Sequence, residues 1–467
     1  MTKALYKRRQ FLRNAAAISL LGSGQYAMNG KLNLLGSALA SSTDYSTIDD
    51  YKSLVCVFLY GGSDSFNMFL PADGTLLDAY TDSRGTLALD SSTLLPDSGG
   101  ADIQFNPQLP NLHSLFQDGN LAVIRNAGNL IAPVTRADYL SDSLDIPADL
   151  FAHNHQQEQA LKGYSSQPTT LVGAGWGGRM ADMLIEANQG ALFPPTFAID
   201  GSDWWSPGYT TKPVRLGAAG LSRLTFLDSQ TGSNVNAPRE DVFASLLNRS
   251  YANPLMQEAA ESLLRARDSS RLFDSAFDAM TPLTTPYSQE SKLATQLRMV
   301  ARLISVQQSL GMKRQIFFVG LGGWDTHDNQ TLRLDEILPQ FDKDMYDFYQ
   351  TLNELNRLDT VATFTASDFG RTLTVNGDGS DHGWGGHYVV MGGGVDGGKL
   401  FGEWPSFETG SVDDTGDKGR VIPELSINQI GATLGQWMGL SASDVGEVFP
   451  DLSNFGSDWQ SGIRLFG

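Results

Sequence analysis

Four largely apolar runs along the chain predict strands. They cover residues 54–60, 121–125, 315–321 and 360–365 and are rich in β-branched and aromatic side chains. A strand that is covered on both faces has no polar side, so its sequence is a nearly continuous apolar run rather than an alternation. These runs therefore predict the buried centre of a sheet.

Longer segments between and after these runs show a helical period. Residues 254–280 and 288–310 place apolar side chains three and four positions apart, with charged side chains opposite, and residues 332–355 predict a further helix. Because strands, loops and helices alternate, we predict an α/β fold with a mainly parallel sheet flanked by helices on both faces. We assign residues 53–467 to a single domain of this kind.

Acidic residues follow three of the predicted strands. Asp64, Asp325 and Asp368 each stand a few positions after an apolar run ends. In open parallel sheets, ligands bind outside the carboxyl ends of the strands. We therefore expect these carboxylates to share one rim, although a turn aspartate that caps the next segment is an equally common use of such a residue.

The glycine-rich stretch after the last of these strands carries Asp381, His382 and His387, and His327 lies in a similar position after residue 321. Glycine-rich loops let carboxylates and imidazoles converge without bulky neighbours, which suits metal binding. The alternative is that the two later histidines only hydrogen-bond and so fix the loop.

A pair of histidines, His153 and His155, lies in a loop-to-helix context further upstream. Side chains at i and i+2 do not face each other on a helix, so we expect one of the two to be functional. We assign a catalytic role to His153.

The first forty residues predict an export signal. Lys7-Arg8-Arg9 opens a twin-arginine run that leads into the apolar residues 15–21, and Ala38-Leu39-Ala40 supplies a small-residue cleavage site. The apolar run is too short and too interrupted to span a bilayer. We assign residues 1–40 to a twin-arginine signal peptide and residues 41–52 to a linker, so the mature protein would be periplasmic or secreted.

The net charge narrows the choice of partners. The chain of 467 residues carries a formal charge of −19, and removal of residues 1–40 would remove six basic residues and no acids, leaving −25 (−19 − 6). So acidic a protein is a poor candidate for binding nucleic acid. An anionic substrate would need a local positive centre, such as a bound metal. The single cysteine, Cys56, stands in an apolar run and is expected in the core.

Several ordered motifs resemble the exported domain of unknown function (DUF) 1501 family. They are FLYGGSDSFN at 58–67, GWGGRMAD at 175–182, GGWDTH at 322–327, SDFGRT at 367–372 and SDHG at 380–383, followed by GGGVDGGKLFGEWP and GRVIPELS. That family is itself similar to the alkaline phosphatase/sulfatase superfamily, whose members use an α/β sheet, one or two divalent metals and a hydroxyl or modified-cysteine nucleophile. The resemblance implies an alkaline phosphatase-like fold.

The resemblance also implies a set of metal ligands. These are an aspartate after the first strand, an Asp/His pair after a later strand, an Asp-His pair after the next strand, and a histidine before an apolar strand. Either Asp368, whose neighbour is Phe369, or the pair Asp381-His382 fills the third position. The matching residues are Asp64, Asp325, His327, Asp368, Asp381, His382 and His387.

Imidazole and carboxylate ligands suit Zn or Mn better than Mg or Ca. A divalent ion lowers the pKa of bound water from 15.7 to about 7 and neutralises an anionic ester. The other candidate nucleophile is a hydroxyl group, first that of Thr135 beside Arg136 and second that of Ser65. Arg136 or Arg371 could clamp ester oxygens. We therefore predict an exported, metal-dependent hydrolase of small or polymeric phosphate or sulfate esters. The alternative is a non-catalytic exported binding protein that retains the phosphatase-like fold.

Overall fold

The centre of the protein is a sheet whose strands run almost all in one direction. The computed structural model describes residues 43–141, 143–144, 146–163, 173–199, 201, 203–217, 220 and 236–467. The predicted export signal at 1–40 lies outside these residues. Within the described residues, none of the helices combines the length and the apolar character that a membrane span requires.

Nine strands of the described chain form the main sheet. In spatial order they are β13 (Leu400–Phe401), β5 (Leu121–Gly128), β12 (Gly386–Gly392), β9 (Val361–Ser367), β1 (Lys52–Leu59), β8 (Arg314–Leu321), β6 (Thr196–Ala198) and β7 (Val214–Arg215), with β14 (Leu425–Ser426) also paired to β5. Strand β12 is antiparallel to both β5 and β9, and the other pairs are parallel. In the central register, Ser53 pairs with Gln315 on one side and Val361 on the other.

Eleven α-helices of the described chain surround the sheet. They are α1 (Gly74–Arg84), α2 (Pro110–Gln117), α3 (Arg136–Ser141), α4 (His153–Lys162), α5 (Trp176–Met183), α6 (Asn236–Leu247), α7 (Pro254–Asp278), α8 (Lys292–Ser305), α9 (Gln330–Glu354), α10 (Ile427–Trp437) and α11 (Ala442–Val448).

Both faces of the sheet are covered, as the apolar runs predicted. Along β1, Val55 and Val57 contribute to the apolar core that contains α8 and α9, whereas Cys56 and Phe58 contribute to the core that contains α5 and α10. All four side chains are fully buried, because alternate residues of a strand point to opposite faces. The predicted fold class, the four buried strands and the long helices are confirmed.

The glycine-rich stretch after β9 is more regular than predicted. It contains a hairpin, β10 (Arg371–Asn376) and β11 (Gly379–His382), in which Arg371 pairs with His382. A second small sheet has the order β2 (Phe69–Leu70), β4 (Gln104–Phe105), β3 (Leu95–Pro96). Turn residues in the sequence indicated a loop, but their backbone groups pair across the hairpin. The hairpin therefore fixes the positions of Arg371 and His382 above the sheet.

The carboxyl ends of β1, β8 and β9 meet at one edge of the sheet, because these strands are parallel neighbours. The loops that follow β1 and β8 approach very closely. Gly61 has φ +117°, and a Cβ added there would lie 2.4 Å from the backbone nitrogen of Asp325. Only glycine permits this approach without strain.

Candidate metal centre

Three side chains converge above the carboxyl end of the sheet. Asp325 follows β8, His153 is the first residue of α4, and His382 ends β11. The Nε2 atoms of His153 and His382 each lie 3.4 Å from Oδ1 of Asp325. One ligand atom from each residue lies within 4.8 Å of the other two. We call His153, Asp325 and His382 the triad.

The orientation of His153 is fixed by Asp368, which lies on the Nδ1 side of the ring. Its Nδ1 lies 2.6 Å from Oδ2 of Asp368, which also accepts a hydrogen bond of 2.8 Å from Gln157. With Nδ1 donating to this carboxylate, Nε2 is left facing Asp325, where it is buried and has no hydrogen-bond partner among the described residues. The hydrogen bond that His153 donates to Asp368 raises the pKa of His153, against the burial that lowers it. A proton and a cation therefore compete for Nε2.

His382 is held in the same way by a backbone group. Its Nδ1 lies 2.7 Å from the carbonyl oxygen of Phe151. Burial lowers the pKa of His382, and the charges of His153, Arg371 and His327 lower it further, against the carbonyl that raises it. A lowered pKa favours the neutral imidazole, which is the form that binds a metal.

His327 and Asp381 lie on the solvent side of the triad. The Nε2 atom of His327 is 3.1 Å from Oδ1 of Asp325 and 2.8 Å from Nε2 of His382. Its Nδ1 is 3.5 Å from Oδ1 of Asp381, which accepts a 2.8 Å hydrogen bond from Asn376. The structure therefore brings His327 and Asp381 to the edge of the site.

Arg371 approaches Asp325 from the protein interior. Its buried guanidinium donates to Oδ1 of Asp325 at 3.0 Å, to the Gly61 carbonyl at 3.3 Å, to the Ser380 hydroxyl at 3.2 Å and to the Ser380 carbonyl. Partial burial would raise the pKa of Asp325, but Arg371 and the neighbouring histidines lower it overall. The predicted clamp on an ester would require Arg371 to give up these bonds.

These residues fit one divalent cation. Two ligand atoms bound to the same zinc at about 2.0–2.1 Å lie roughly 3.3 Å apart in a tetrahedron. The two distances of 3.4 Å to Oδ1 of Asp325 match that edge. The unpartnered Nε2 of His153 points to the same place. Arg371 opposes the fit, because a guanidinium already neutralises part of the charge on Asp325.

Asp64, a predicted ligand, lies deeper in the protein than the triad. It is fully buried, forms an ion pair with Arg84 and accepts a 2.5 Å hydrogen bond from Gln330. Burial raises the pKa of Asp64, and the charges of Arg84 and Arg371 oppose that rise. The guanidinium of Arg84 thus supplies the positive charge next to this carboxylate.

His387, another predicted ligand, is enclosed by aromatic rings. Its ring centroid lies 5.0 Å from that of Phe66 and 4.9 Å from that of Trp404, and Nδ1 accepts a 3.1 Å hydrogen bond from the backbone of Asn126. Burial lowers the pKa of His387 to about 3, with a smaller contribution from Arg125. Its contacts within the described chain are with this pocket and not with the triad.

The remaining predicted residues are placed elsewhere. Thr135 donates a 2.5 Å hydrogen bond to Asp138 at the start of α3, and Arg136 donates to the carbonyls of residues 414 and 416 at 2.9 and 3.1 Å. His155 pairs with Asp149 at 2.5 Å. Of the two histidines on α4, His153 is therefore the one at the site.

Sequence reasoning missed several supporting groups. Asp368 was predicted as a ligand, and in the structure its Oδ2 accepts hydrogen bonds from His153 and Gln157. Gln157, which also holds Asp368, stands four residues after His153 on α4, and this i, i+4 spacing was a signal for a shared face. No sequence signal pointed to the Phe151 carbonyl, or to Arg84 as the partner of Asp64.

Comparisons with known proteins give the family. A family model described as "Protein of unknown function (DUF1501)" matches residues 51–418, so the chain belongs to that family, which confirms the resemblance seen in the sequence. A search of curated proteins found no match.

Similar solved structures include the zinc complex of the C-terminal periplasmic domain of EcEptC from Escherichia coli. Its sequence identity is 11% and its TM-score is 0.36, and the match covers 86% of this chain and 86% of that chain. The lipoteichoic acid synthase LtaP from Listeria monocytogenes has 10% identity, TM-score 0.34 and coverage of 94% and 81%. The PsFucS1 sulfatase from Pseudoalteromonas sp. has 9% identity, TM-score 0.32 and coverage of 84% and 68%.

Proposed function

We propose that this DUF1501 protein is an exported, metal-dependent hydrolase of phosphate or sulfate esters that holds one divalent ion in the triad. One observation carries the proposal. Both imidazoles are fixed through Nδ1, His153 by Asp368 and His382 by the Phe151 carbonyl, so that both Nε2 atoms face Asp325. Hydrogen bonds of this kind orient metal-binding histidines and set their tautomer.

The donor set favours zinc or manganese. Two imidazole nitrogens and one carboxylate oxygen suit these ions, whereas magnesium and calcium prefer oxygen ligands. A bound ion would supply Lewis acidity toward an ester oxygen and would lower the pKa of water to about 7. His327 lies exposed at the edge of this site, with its Nε2 3.1 Å from Oδ1 of Asp325.

The support is for one ion rather than two. Asp64 already faces the guanidinium of Arg84, and His387 is enclosed among Phe66 and Trp404. Oδ2 of Asp64 and Nδ1 of His387 have partners, Oδ1 of Asp64 and Nε2 of His387 have none among the described residues, and neither side chain has a contact with the triad there. We accordingly place a single ion in the triad.

Water is the proposed nucleophile, because the hydroxyl groups near the triad are buried and already donate hydrogen bonds. Ser380 donates to Gln330 at 2.5 Å, Thr326 donates to the same side chain at 3.1 Å, and Thr372 donates to the carbonyl of residue 374 at 3.0 Å. Thr135 is occupied by Asp138.

Metal analysis of the purified protein tests the proposal. We expect about one zinc or manganese per chain, and loss of that metal in His153→Ala and Asp325→Asn. His155→Gln is the matched control, since it removes an imidazole from the same helix two positions away. Absence of metal after supplementation, or equal metal content in all three variants, would refute the site.

Ester hydrolysis is then measured on p-nitrophenyl phosphate, bis-p-nitrophenyl phosphate and p-nitrophenyl sulfate. We expect activity in the metal-loaded protein and in His155→Gln, and no activity in the two triad variants. A loaded protein that cleaves none of these esters would instead support the second candidate, a non-catalytic exported binding protein. The ion pair between Arg371 and Asp325 favours that candidate, because it holds the carboxylate in place without a metal.

Export by the twin-arginine route is part of the proposal and rests on Arg8 and Arg9. Replacing both with lysine should leave the precursor inside the cell, as shown by cell fractionation and immunoblotting. Unchanged export of the double variant would exclude this route.

A further inference from the structure

We infer that Arg420 is the anion-binding residue of this site and that it takes the phosphate or sulfate group of a ligand next to His382. The inference rests on the proposed function for its ligand class. It adds an oxyanion subsite beside the triad, formed by the terminal nitrogens of one guanidinium.

The contacts of Arg420 leave its terminal nitrogens available. Its Nε donates a 3.1 Å hydrogen bond to the carbonyl of His382, and its guanidinium carbon lies 4.0 Å from the ring centroid of Phe151. Within the described part of the chain, neither Nη1 nor Nη2 has a hydrogen-bond or ion-pair partner. A guanidinium with a stacked face, a fixed Nε and a free terminal edge suits bidentate binding of a tetrahedral oxyanion.

Arg420 is also tied to the triad. The carbonyl of Phe151 accepts from Nδ1 of His382, while the ring of the same Phe151 stacks on Arg420. The backbone of His382 in turn accepts from Arg420. Phe151 and the backbone of His382 therefore fix the distance between the imidazole of His382 and the guanidinium of Arg420.

The preceding loop is built to present this side chain. The buried carboxylate of Asp414 accepts hydrogen bonds from the backbone nitrogens of residues 410, 416, 419 and 420 at 2.8–3.1 Å. Gly419 has φ +66°, and a Cβ there would lie 2.4 Å from Cβ of Leu373. The loop is thereby pressed against β10, next to the hairpin that carries His382.

The other arginines near the rim are committed elsewhere. Arg371 is buried and bonded to Asp325 and to backbone carbonyls, Arg136 is bonded to the loop at residues 414 and 416, and Arg84 faces Asp64. The half-buried Arg420 is the arginine with a free edge next to the triad, among the residues described.

Nearby acids do not occupy that edge. Asp381 is bonded to Asn376 and lies beside His327, and it makes no ion pair with Arg420 in the described structure. The terminal nitrogens of Arg420 are therefore left to an incoming oxyanion, among the described residues.

Calorimetric titration with inorganic phosphate and with sulfate tests the inference, on chelator-treated and on zinc-loaded protein. Arg420→Gln should weaken phosphate binding by about 10- to 100-fold in both states, since it removes charge-assisted hydrogen bonds. Arg420→Lys should fall between, because it keeps the charge without the planar fork. Zinc affinity, measured by competition with a chelator, should change by less than about threefold. Arg333→Gln, which removes an arginine that pairs with Asp328, is the matched control and should behave as the wild type.

The outcomes separate this inference from the proposed function. Phosphate binding that depends on Arg420 in a protein that takes no metal would support the subsite and refute the hydrolase. Zinc binding with phosphate affinity unchanged in Arg420→Gln would refute the subsite and leave the metal site standing. Wild-type protein that binds neither phosphate nor sulfate, with or without zinc, would also overturn the inference. So would a loss of zinc affinity in Arg420→Gln as large as its loss of phosphate affinity, because that result indicates a merely structural role.

Discussion

Replacing His387 with asparagine should make the fold less sensitive to acid. The imidazole is fully buried among Phe66 and Trp404, and its pKa falls from 6.5 to about 3. In the unfolded chain the same group titrates near its ordinary pKa of about 6.5. Between these two values the unfolded state binds one more proton than the folded state, so stability decreases as the pH is lowered.

The size of the effect follows from the two pKa values. Each pH unit inside this window is worth about 1.4 kcal/mol for one proton. From about pH 7 to about pH 5, protonation of His387 in the unfolded chain should therefore lower the free energy of unfolding by about 2 kcal/mol. In the wild type, Nδ1 of His387 accepts a hydrogen bond from the backbone N–H of Asn126. The side-chain oxygen of asparagine can accept the same hydrogen bond, but asparagine does not titrate.

Urea unfolding at the two pH values measures this difference. We expect the wild type to lose about 2 kcal/mol more than His387→Asn between pH 7 and pH 5, with contributions from all other groups shared by the two proteins. Equal losses would refute the reasoning, because they would mean that the folded imidazole is protonated normally. Zinc affinity, measured at pH 7 without urea, should be the same in the wild type and in His387→Asn. A large loss in the variant would place His387 among the ligands.

Further predictions concern the support of the site. Asp368→Asn should weaken zinc binding by about 10- to 100-fold, because it removes the carboxylate that orients His153, and chelator competition measures this. Arg84→Gln should lower the free energy of unfolding by about 3–5 kcal/mol in urea, since it leaves Asp64 buried without its cation; a loss below about 1 kcal/mol would contradict the buried pair. Gly379→Ala would place a Cβ 2.3 Å from the His327 backbone, and we expect a lower Tm with weaker zinc binding.

Much of the fold could be predicted from the sequence. Residues 54–60, 315–321 and 360–365 appear in the structure as β1, β8 and β9, and the amphipathic segment 288–310 contains α8. These predictions succeed because burial on both faces, or on one helical face, imposes a local pattern on the residues themselves. The stretch 370–387 was predicted less well, because turn residues are shared by loops and hairpins.

The candidate site shows the limit of local patterns. Asp64, Asp325 and Asp368 look alike in the sequence, each following a strand at the same rim. In the structure the first faces Arg84, the second faces imidazoles and Arg371, and the third orients His153. These roles depend on which cation stands opposite each carboxylate.

The sequence by itself determined that this chain forms a parallel α/β sheet and that acids and histidines gather where its strands end. Tertiary structure alone decided that His387 turns into an aromatic pocket and that Arg84 neutralises Asp64. It also decided that the terminal nitrogens of Arg420, beside His382, have no partner among the described residues. The physical reason is that apolar periodicity is recorded in neighbouring residues. Ion pairs and buried imidazoles, in contrast, depend on distances and desolvation between residues far apart along the chain.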